Sequence, residues 1–570
     1  MGMSSGRAAA SVRSDLSTKL QSIRFNAEYP LARGEFAARS AGGDAQSRIN
    51  KQGIKMRQSI KKTAVWAAMI LELCGCSGSN PNVDTHGTSP GAGVSIGGEP
   101  MAAHSDVTLT STVPGVTPFI STVNLSGLGL ASVQSVAYTI EPMPGSVSKP
   151  VNVSFSNSAL TSRGYLSPDA SSLALPVFGL YAGYANNVWL ALTFLDGSVQ
   201  TLPLAISTAA YTDPSGVYDH PVIVKARSPG SALGFDFFVM KSSLGTPVIV
   251  DTDGALRWVA QGVNSSMSSI LTANGFEIGS QSSIMTYRLE LDGSLSTTAL
   301  SSSSLLSFNH NLDPGPQGYL AEMTTAANTG STVAEFTPAA GFIQTWDFAQ
   351  LLTNYMQSQG DDASAFVRPA ADWFHANGAV YDPSDNSLIV SSRENFLMKV
   401  NYDTGAIIWI LGDPTKYWYT FPSLRAKALQ LTGNGLYPIG QHAPSILSNG
   451  QLMIINDGQG SLNQPAGEPA GQTRSYTAVS VYSIDAAAGT ATQTWEFDYN
   501  QSLFSAFCGS AYEAPAGSVL VDFAVADDYT TARLVGLDAY QNVVFDFQYP
   551  TVGCNSAWNA VPINLDNMLF

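Results

Sequence analysis

Charge is scarce in this chain of 570 residues: only 12% of them are Asp, Glu, Lys or Arg. The charge that exists is lopsided. Residues 1–62 hold twelve Lys and Arg against four Asp and Glu, and residues 76–570 hold 15 basic against 38 acidic, a net of −23. So acidic a body excludes nucleic acid as a partner, because it would repel the phosphate backbone. Any site for an anionic group must then be a local exception. Histidine is also rare, with six in the chain, and cysteine rarer, with four. Four cysteines exclude a disulfide-rich scaffold, and none of the spacings suits a metal site. No Gly-rich loop opens a helix, so a nucleotide phosphate has no cradle and no cofactor is implied. No apolar run is long enough to span a bilayer.

What is abundant points to an all-β protein. The chain is 44% apolar with 51 Gly, and Ser and Thr are frequent, which suits many short strands joined by tight turns. The length implies more than one domain. Residues 1–55 resemble no targeting signal and read as a disordered segment or a misplaced start. Met56-Arg57-Gln58-Ser59-Ile60-Lys61-Lys62 then forms a basic lead-in, and residues 63–73 a short apolar stretch broken by Glu72. Leu73-Cys74-Gly75-Cys76 follows, in the form of a lipoprotein cleavage site with Cys76 as the lipidated residue. These features predict a signal peptide over 56–75 and an exported, periplasmic product tethered to the outer membrane by lipid alone. Residues 76–103 read as a linker, 104–212 as a small β-sandwich-like domain and 213–570 as the catalytic domain. Only Cys508 and Cys554 remain in the body. They fit one disulfide, the alternative being two buried thiols.

From residue 213 a unit returns six times: an apolar strand, a polar turn, and a strand that often carries an aromatic. The turns fall at Asp253-Gly254, Asp292-Gly293, Ala340-Gly341, Thr404-Gly405, Gly489 and Gln541-Asn542. Trp258, Trp346, Trp409, Trp495 and Phe545 follow five of them. A second hairpin precedes most of these, with turns such as Asn274-Gly275, Asp385-Asn386 and Asn449-Gly450. Two hairpins make four strands, and six such units make a six-bladed β-propeller. Residues 347–372 and 412–440 are long insertions on it.

His86, His104 and His220 lie outside the repeats or at their entry. His310, His375 and His442 each stand just before the first hairpin of a unit. His310 precedes Gly318 by eight residues and His442 precedes Gly450 by eight, which predicts equivalent positions. The first strand of a blade lines the channel, so three neighbouring blades deliver three imidazoles to one mouth. Asn377, two residues after His375, faces the same side of its strand. A hairpin turned at Asp385-Asn386 brings Arg393 back beside them, and its planar fork suits a tetrahedral oxyanion. Arg393 among the histidines argues against a bound metal cation.

Several segments in order resemble the bacterial arylsulfate sulfotransferases that work without phosphoadenosine phosphosulfate. They are Asn309-His310 with Asp313-Pro314-Gly315-Pro316-Gln317-Gly318, Asp372-Trp373-Phe374-His375-Ala376-Asn377, the run from Asp385 to Arg393, Ile408-Trp409-Ile410-Leu411-Gly412, and Gln441-His442. The resemblance implies a six-bladed propeller with a small N-terminal β domain, sometimes a homodimer. It implies an aryl sulfate donor, a phenolic acceptor, and a transiently sulfated histidine matching His442. The family's other active-site groups match His310, His375, Asn377 and Arg393, with Arg393, Asn377 and His310 placed to hold substrate. Some members carry a disulfide in the loop before the nucleophile; residues 412–440 have no Cys. The expected chemistry is ping-pong, through attack of neutral His442 on sulfur. Either His310 or His375 serves as acid and base. The competing reading is a binding or quinone-dependent propeller without sulfuryl transfer.

Overall fold

The structure, a computed structural model, describes residues 106–327 and 330–570. The upstream segment, the expected signal sequence with Cys76, the expected linker with His86, and His104 at the start of the expected small domain lie outside the described residues. Among the described residues no helix is long and apolar enough to cross a membrane.

The fold is all-β, and its strands form eight sheets. Two belong to the N-terminal part. Ile120–Ser126 pairs with Thr108–Pro114 on one side and Ser172–Phe178 on the other. Val133–Ile140, Val151–Ser156, Ala185–Phe194 and Val199–Ser207 form the second sheet. Period-2 alternation makes these strands: Val188, Leu190, Leu192 and Phe194 point inward while Asn187, Trp189 and Thr193 point out. The inward faces share one core with Phe237, Trp258 and Phe276 of the following sheets. At the end of the chain Met568–Leu569 returns to this sheet, parallel to Val153 and Ser154.

The other six sheets are antiparallel meanders, apart from one parallel strand added to the edge of the fifth. The second, third and fourth are four consecutive strands each, over residues 269–299, 305–347 and 376–411. The fifth spans residues 441–497 and gains Gln430–Thr432 on its outer edge. The sixth spans residues 510–550, and Val222–Lys225 is added to its outer edge from the start of the repeats. The first sheet is built from Phe237–Lys241, Val248–Asp251 and Leu256–Trp258, with Asn559–Ile563 from the chain's end on its inner side. Exchange of strands between the two ends covers edges that would otherwise be open.

Hydrogen bonds link the inner sides of neighbouring sheets in order. Ser266 N donates to Ser242 O, Ser268 Oγ to His310 O, and Ala376 N to Gly330 O. Asn377 Nδ2 donates to Gln441 O, Cys508 N to His442 Nε2, and Ala560 N to Ser510 Oγ. Six links join six sheets in a circle, the arrangement of a propeller. The insertion after the third sheet carries the helix Phe348–Ser358, capped by Asp347, whose carboxylate accepts from Ala349 N and Gln350 N. Its Leu352 and Met356 pack with Trp418 and Leu424 of the other insertion against the fourth sheet.

Candidate active site

His310 lies in the first strand of the third sheet, His375 immediately before the first strand of the fourth, and His442 in the first strand of the fifth. All three strands break register beside their histidine: between Asn309 and Leu312, Ala376 and Gly378, and His442 and Ser445. Left-handed backbone marks the same places, with φ of 47° at His310, 51° at His375 and 46° at Ala443. Bulges and strained dihedrals re-aim side chains and concentrate at working sites. The equivalence expected of His310 and His442 is off by one residue. The left-handed position is His310 itself in one strand and Ala443 in the other. Both histidines stand five residues before their turns, at 315–318 and 447–451, so the difference lies in where the bulge falls along each strand.

The structure brings the five sequence-selected residues together. His310 Nε2 and His375 Nε2 are 3.1 Å apart. His375 Nδ1 is 2.5 Å from Asp372 Oδ2, so it donates to that carboxylate. His442 Nδ1 donates to Gly440 O at 2.9 Å, and Nε2 accepts from Cys508 N at 3.2 Å. The ring is therefore neutral, with its lone pair on Nε2. Burial is the main cause that pushes its pKa down to about 3, with the Arg393 charge adding to it. Burial, then the charges of His375 and His442, also holds His310 well below the ordinary range.

Arg393 N donates to His375 O at 3.1 Å, which returns the guanidinium to the site. Its Nη1 donates to Glu394 Oε1 at 2.9 Å and its Nη2 to Asp457 Oδ2 at 3.0 Å. Burial pushes the Asp457 carboxyl up to about 7 against the pull of Arg393. Glu394 ends below its usual range: burial raises it, but the Arg393 charge and the Ser461 hydroxyl outweigh that. Lys416, fully enclosed, is pushed down to about 8 by burial; its Nζ donates to Glu394 O at 3.1 Å. Asn377 spends Nδ2 on Gln441 O at 2.9 Å, while its buried Oδ1 has no partner among the described residues. That leaves Asn377 an acceptor. His220 is exposed, with Nε2 3.6 Å from Asp219 Oδ2.

Sequence reasoning missed several groups around this cluster. Asp372 was legible, three residues before His375 in the same motif. Asp457 follows the second strand of the fifth sheet as Arg393 follows that of the fourth, so the repeat itself pairs them. The Cys508 amide, the Phe507 ring 5.6 Å from the Arg393 guanidinium carbon, and the Trp558 ring 5.2 Å from His310 left no signal. A surface cleft of about 430 Å³ at Gln350, Tyr355 and Asp403 contains none of the site's groups.

Cys508 and Cys554 form a disulfide. A family model described as arylsulfotransferase (ASST) matches residues 223–555, more than half of the chain. The chain is 33% identical over 146 residues to a protein named arylsulfate sulfotransferase AssT from Escherichia coli O6:H1, covering 23% of this chain and 24% of that one. It is 27% identical over 141 residues to a namesake from Lelliottia amnigena, covering 22% and 23%. The matched stretch thus spans about a quarter of these curated relatives. Among solved structures, a β-propeller domain of Cps50 (Swd1) from Myceliophteria thermophila aligns with a TM-score of 0.31 at 12% identity, over 57% of this chain and 88% of that one. A europium-containing methanol dehydrogenase aligns at 0.29 and 10% identity, over 67% and 77%.

Proposed function

The chain belongs to the arylsulfotransferase family, and on that premise we propose that it moves a sulfuryl group from a phenolic sulfate ester to a second phenol through His442. One observation carries this reading: a buried, neutral imidazole whose Nδ1–H is spent on Gly440 O and whose Nε2 lone pair is met by the Cys508 backbone N–H at 3.2 Å. A neutral imidazole is a nucleophile, and a fixed tautomer keeps the reacting nitrogen in place. The donor's sulfur displaces the Cys508 amide from Nε2 as the N–S bond forms and the S–O bond to the aryl group breaks. His375, held by Asp372, gives its Nε2 proton to the leaving phenolate. It then takes the proton of the acceptor phenol, whose oxygen attacks sulfur and returns the electron pair to Nε2.

Arg393 supplies positive charge beside the transferring group, which is where sulfuryl transfer gains most from the protein. Asn377 Oδ1, acceptor only, suits the O–H of the incoming phenol rather than a sulfuryl oxygen. Phe507 and Trp558, both half-buried, supply apolar walls for an aryl ring. The disulfide favours an oxidising compartment outside the cytoplasm, and Cys76 is assigned as the lipidated anchor.

The test is transfer from a chromogenic aryl sulfate to phenol without nucleotide, with rapid quenching at alkaline pH and peptide mapping. The added sulfuryl mass is expected on the peptide holding His442, with ping-pong kinetics. Mass on His310 or His375 would reverse the roles. Sequential kinetics with no labelled histidine would remove the covalent step.

A further inference from the structure

Cys508 sits against His442 and is bonded to Cys554, and both half-cystines lie in segments that belong to no strand. Cys508 falls between the turn at Tyr499–Gln501 and the strand Ser510–Ala514; Cys554 falls between Val543–Pro550 and Asn559–Ile563. Each half carries one wall of the site. On the first side, Ala506 O accepts from Arg393 Nη2 at 3.5 Å, the Phe507 ring lies over the guanidinium, and Cys508 N donates to His442 Nε2. On the second, four residues past Cys554, Trp558 packs its ring on His310, and its carbonyl accepts from Gly509 N at 3.3 Å. Cys508 and Cys554 hold φ of 60° and 65°, left-handed backbone that a side chain with Cβ does not adopt without support from its surroundings. Loops lacking ladder hydrogen bonds open more readily than the strands around them, so a covalent tie between these two has a direct consequence for what they cover.

We propose that the Cys508–Cys554 disulfide is a positioning device for sulfuryl transfer, holding the Cys508 amide on His442 in the resting site and the Trp558 ring on His310, so that the nucleophile stays dry and aligned until the donor's sulfur takes the amide's place. This rests on His442 being the sulfuryl acceptor. Without the tie, Cys508 relaxes from its left-handed backbone and turns its N–H away, and water reaches Nε2. The titratable and charged groups facing His442 are Arg393 and Glu394 from the fourth sheet, His375, His310 from the third sheet, and Asp457, whose Oδ2 is 3.9 Å from Nδ1. They stay in place, so hydration alone moves the imidazole back toward its ordinary titration range.

The experiment compares the full chain with Cys508→Ala/Cys554→Ala and with Cys554→Ala alone. Alanine keeps the amide at 508. Three quantities are read: cooperativity of thermal unfolding, the His442 titration by NMR (assigned by its loss in His442→Gln), and kcat and KM with a chromogenic donor. The expected result is cooperative unfolding, a His442 titration at least one pH unit higher, and kcat down at least tenfold with a smaller change in KM, alike in both variants. If the variants do not fold, the folded parent is reduced with a water-soluble phosphine, which becomes its oxide as the bridge becomes two thiols. The same titration and kcat are then read. A lower thermal midpoint with unmoved titration and kcat would make the bridge merely structural and overturn the proposal. The titration needs no turnover. If His442→Gln still transferred sulfate, the nucleophile assignment would fall while the hold of the disulfide on His442 was judged separately.

Discussion

The Nε2 atoms of His310 and His375 stand 3.1 Å apart, so the two rings share one proton between them. Nδ1 of His375 is fixed on Asp372, and His310 is the more deeply buried partner, held well below its ordinary pKa by desolvation and by its two neighbours. An added proton is therefore disfavoured on His310. In the transfer proposed above, this separates the two imidazoles that the sequence leaves interchangeable: His375 exchanges the proton, and His310 orients it.

Asp372→Asn should then act on the leaving group. A carboxylate that holds the tautomer and stabilises the imidazolium matters most when the departing phenolate is a strong base. For esters of weakly acidic phenols kcat/KM should fall about 10²–10³-fold, within the range of a general acid's contribution. Esters of strongly acidic nitrophenols should be nearly unaffected. A steeper dependence of rate on phenol pKa is the expected sign, and a uniform loss across the series would refute the assignment.

Arg393 binds two buried carboxylates, so its removal has a structural cost besides a catalytic one. Arg393→Ala leaves Glu394 and Asp457 without their nearest cation, and breaking a buried pair from one side costs about 3–5 kcal/mol. Loss of transition-state stabilisation adds roughly 3–4 kcal/mol to the barrier. Arg393→Lys restores the charge but not the fork that spans both carboxylates. Urea unfolding should show much of the stability recovered in the lysine variant, while turnover stays low. A lysine variant with parental kcat would mean that the fork is unnecessary.

The repeat made the ring legible, because each Gly or Asn turn fixes a hairpin and the alternating strands fix which face is buried. The histidines were legible because they are few and sit at similar places in three units. Two kinds of feature were not. A one-residue shift of the bulge along the strand puts the left-handed position at His310 in one unit and at Ala443 in the other, and no residue type announces it. Contacts made through backbone, such as the Cys508 amide on His442, leave no trace in side-chain identity. Exchange of strands between chain ends was hidden for a similar reason. Val222–Lys225 and Asn559–Ile563 are ordinary strands whose partners lie more than 300 residues away.

Cys76 precedes the described residues, and its chemistry is open to a direct measurement. Cleavage before it and attachment of lipid should put the native protein in the membrane fraction, releasable by detergent. Mass spectrometry should find a lipidated N-terminal Cys76. Cys76→Ser should move the protein to the soluble periplasmic fraction with its activity intact, since the site lies more than 200 residues further along the chain. A soluble native product cleaved elsewhere would overturn the assignment.

The last prediction follows from the depressed pKa of His442 and concerns stability. In the unfolded chain a histidine titrates near 6.5; in the folded one, burial and then Arg393 push His442 down to about 3. Between those values the unfolded state binds the proton and the folded state does not, so stability falls as pH falls through that window. At pH 5 the penalty is about 2 kcal/mol, and at pH 7.5 it is close to zero. Asp457, pushed up to about 7, has the opposite sign: the folded state holds its proton more tightly, and that stability is lost as pH rises toward 7. The whole-protein profile mixes both, so the comparison must be between variants. His442→Gln removes the first group alone. The difference in unfolding free energy between His442→Gln and parent should shift by about 2 kcal/mol in favour of the variant on going from pH 7.5 to pH 5, read from urea midpoints at matched slopes. Parallel curves would mean that His442 takes up its proton in the folded state as easily as in the unfolded one. The neutral nucleophile on which the transfer chemistry depends would then be lost in mild acid.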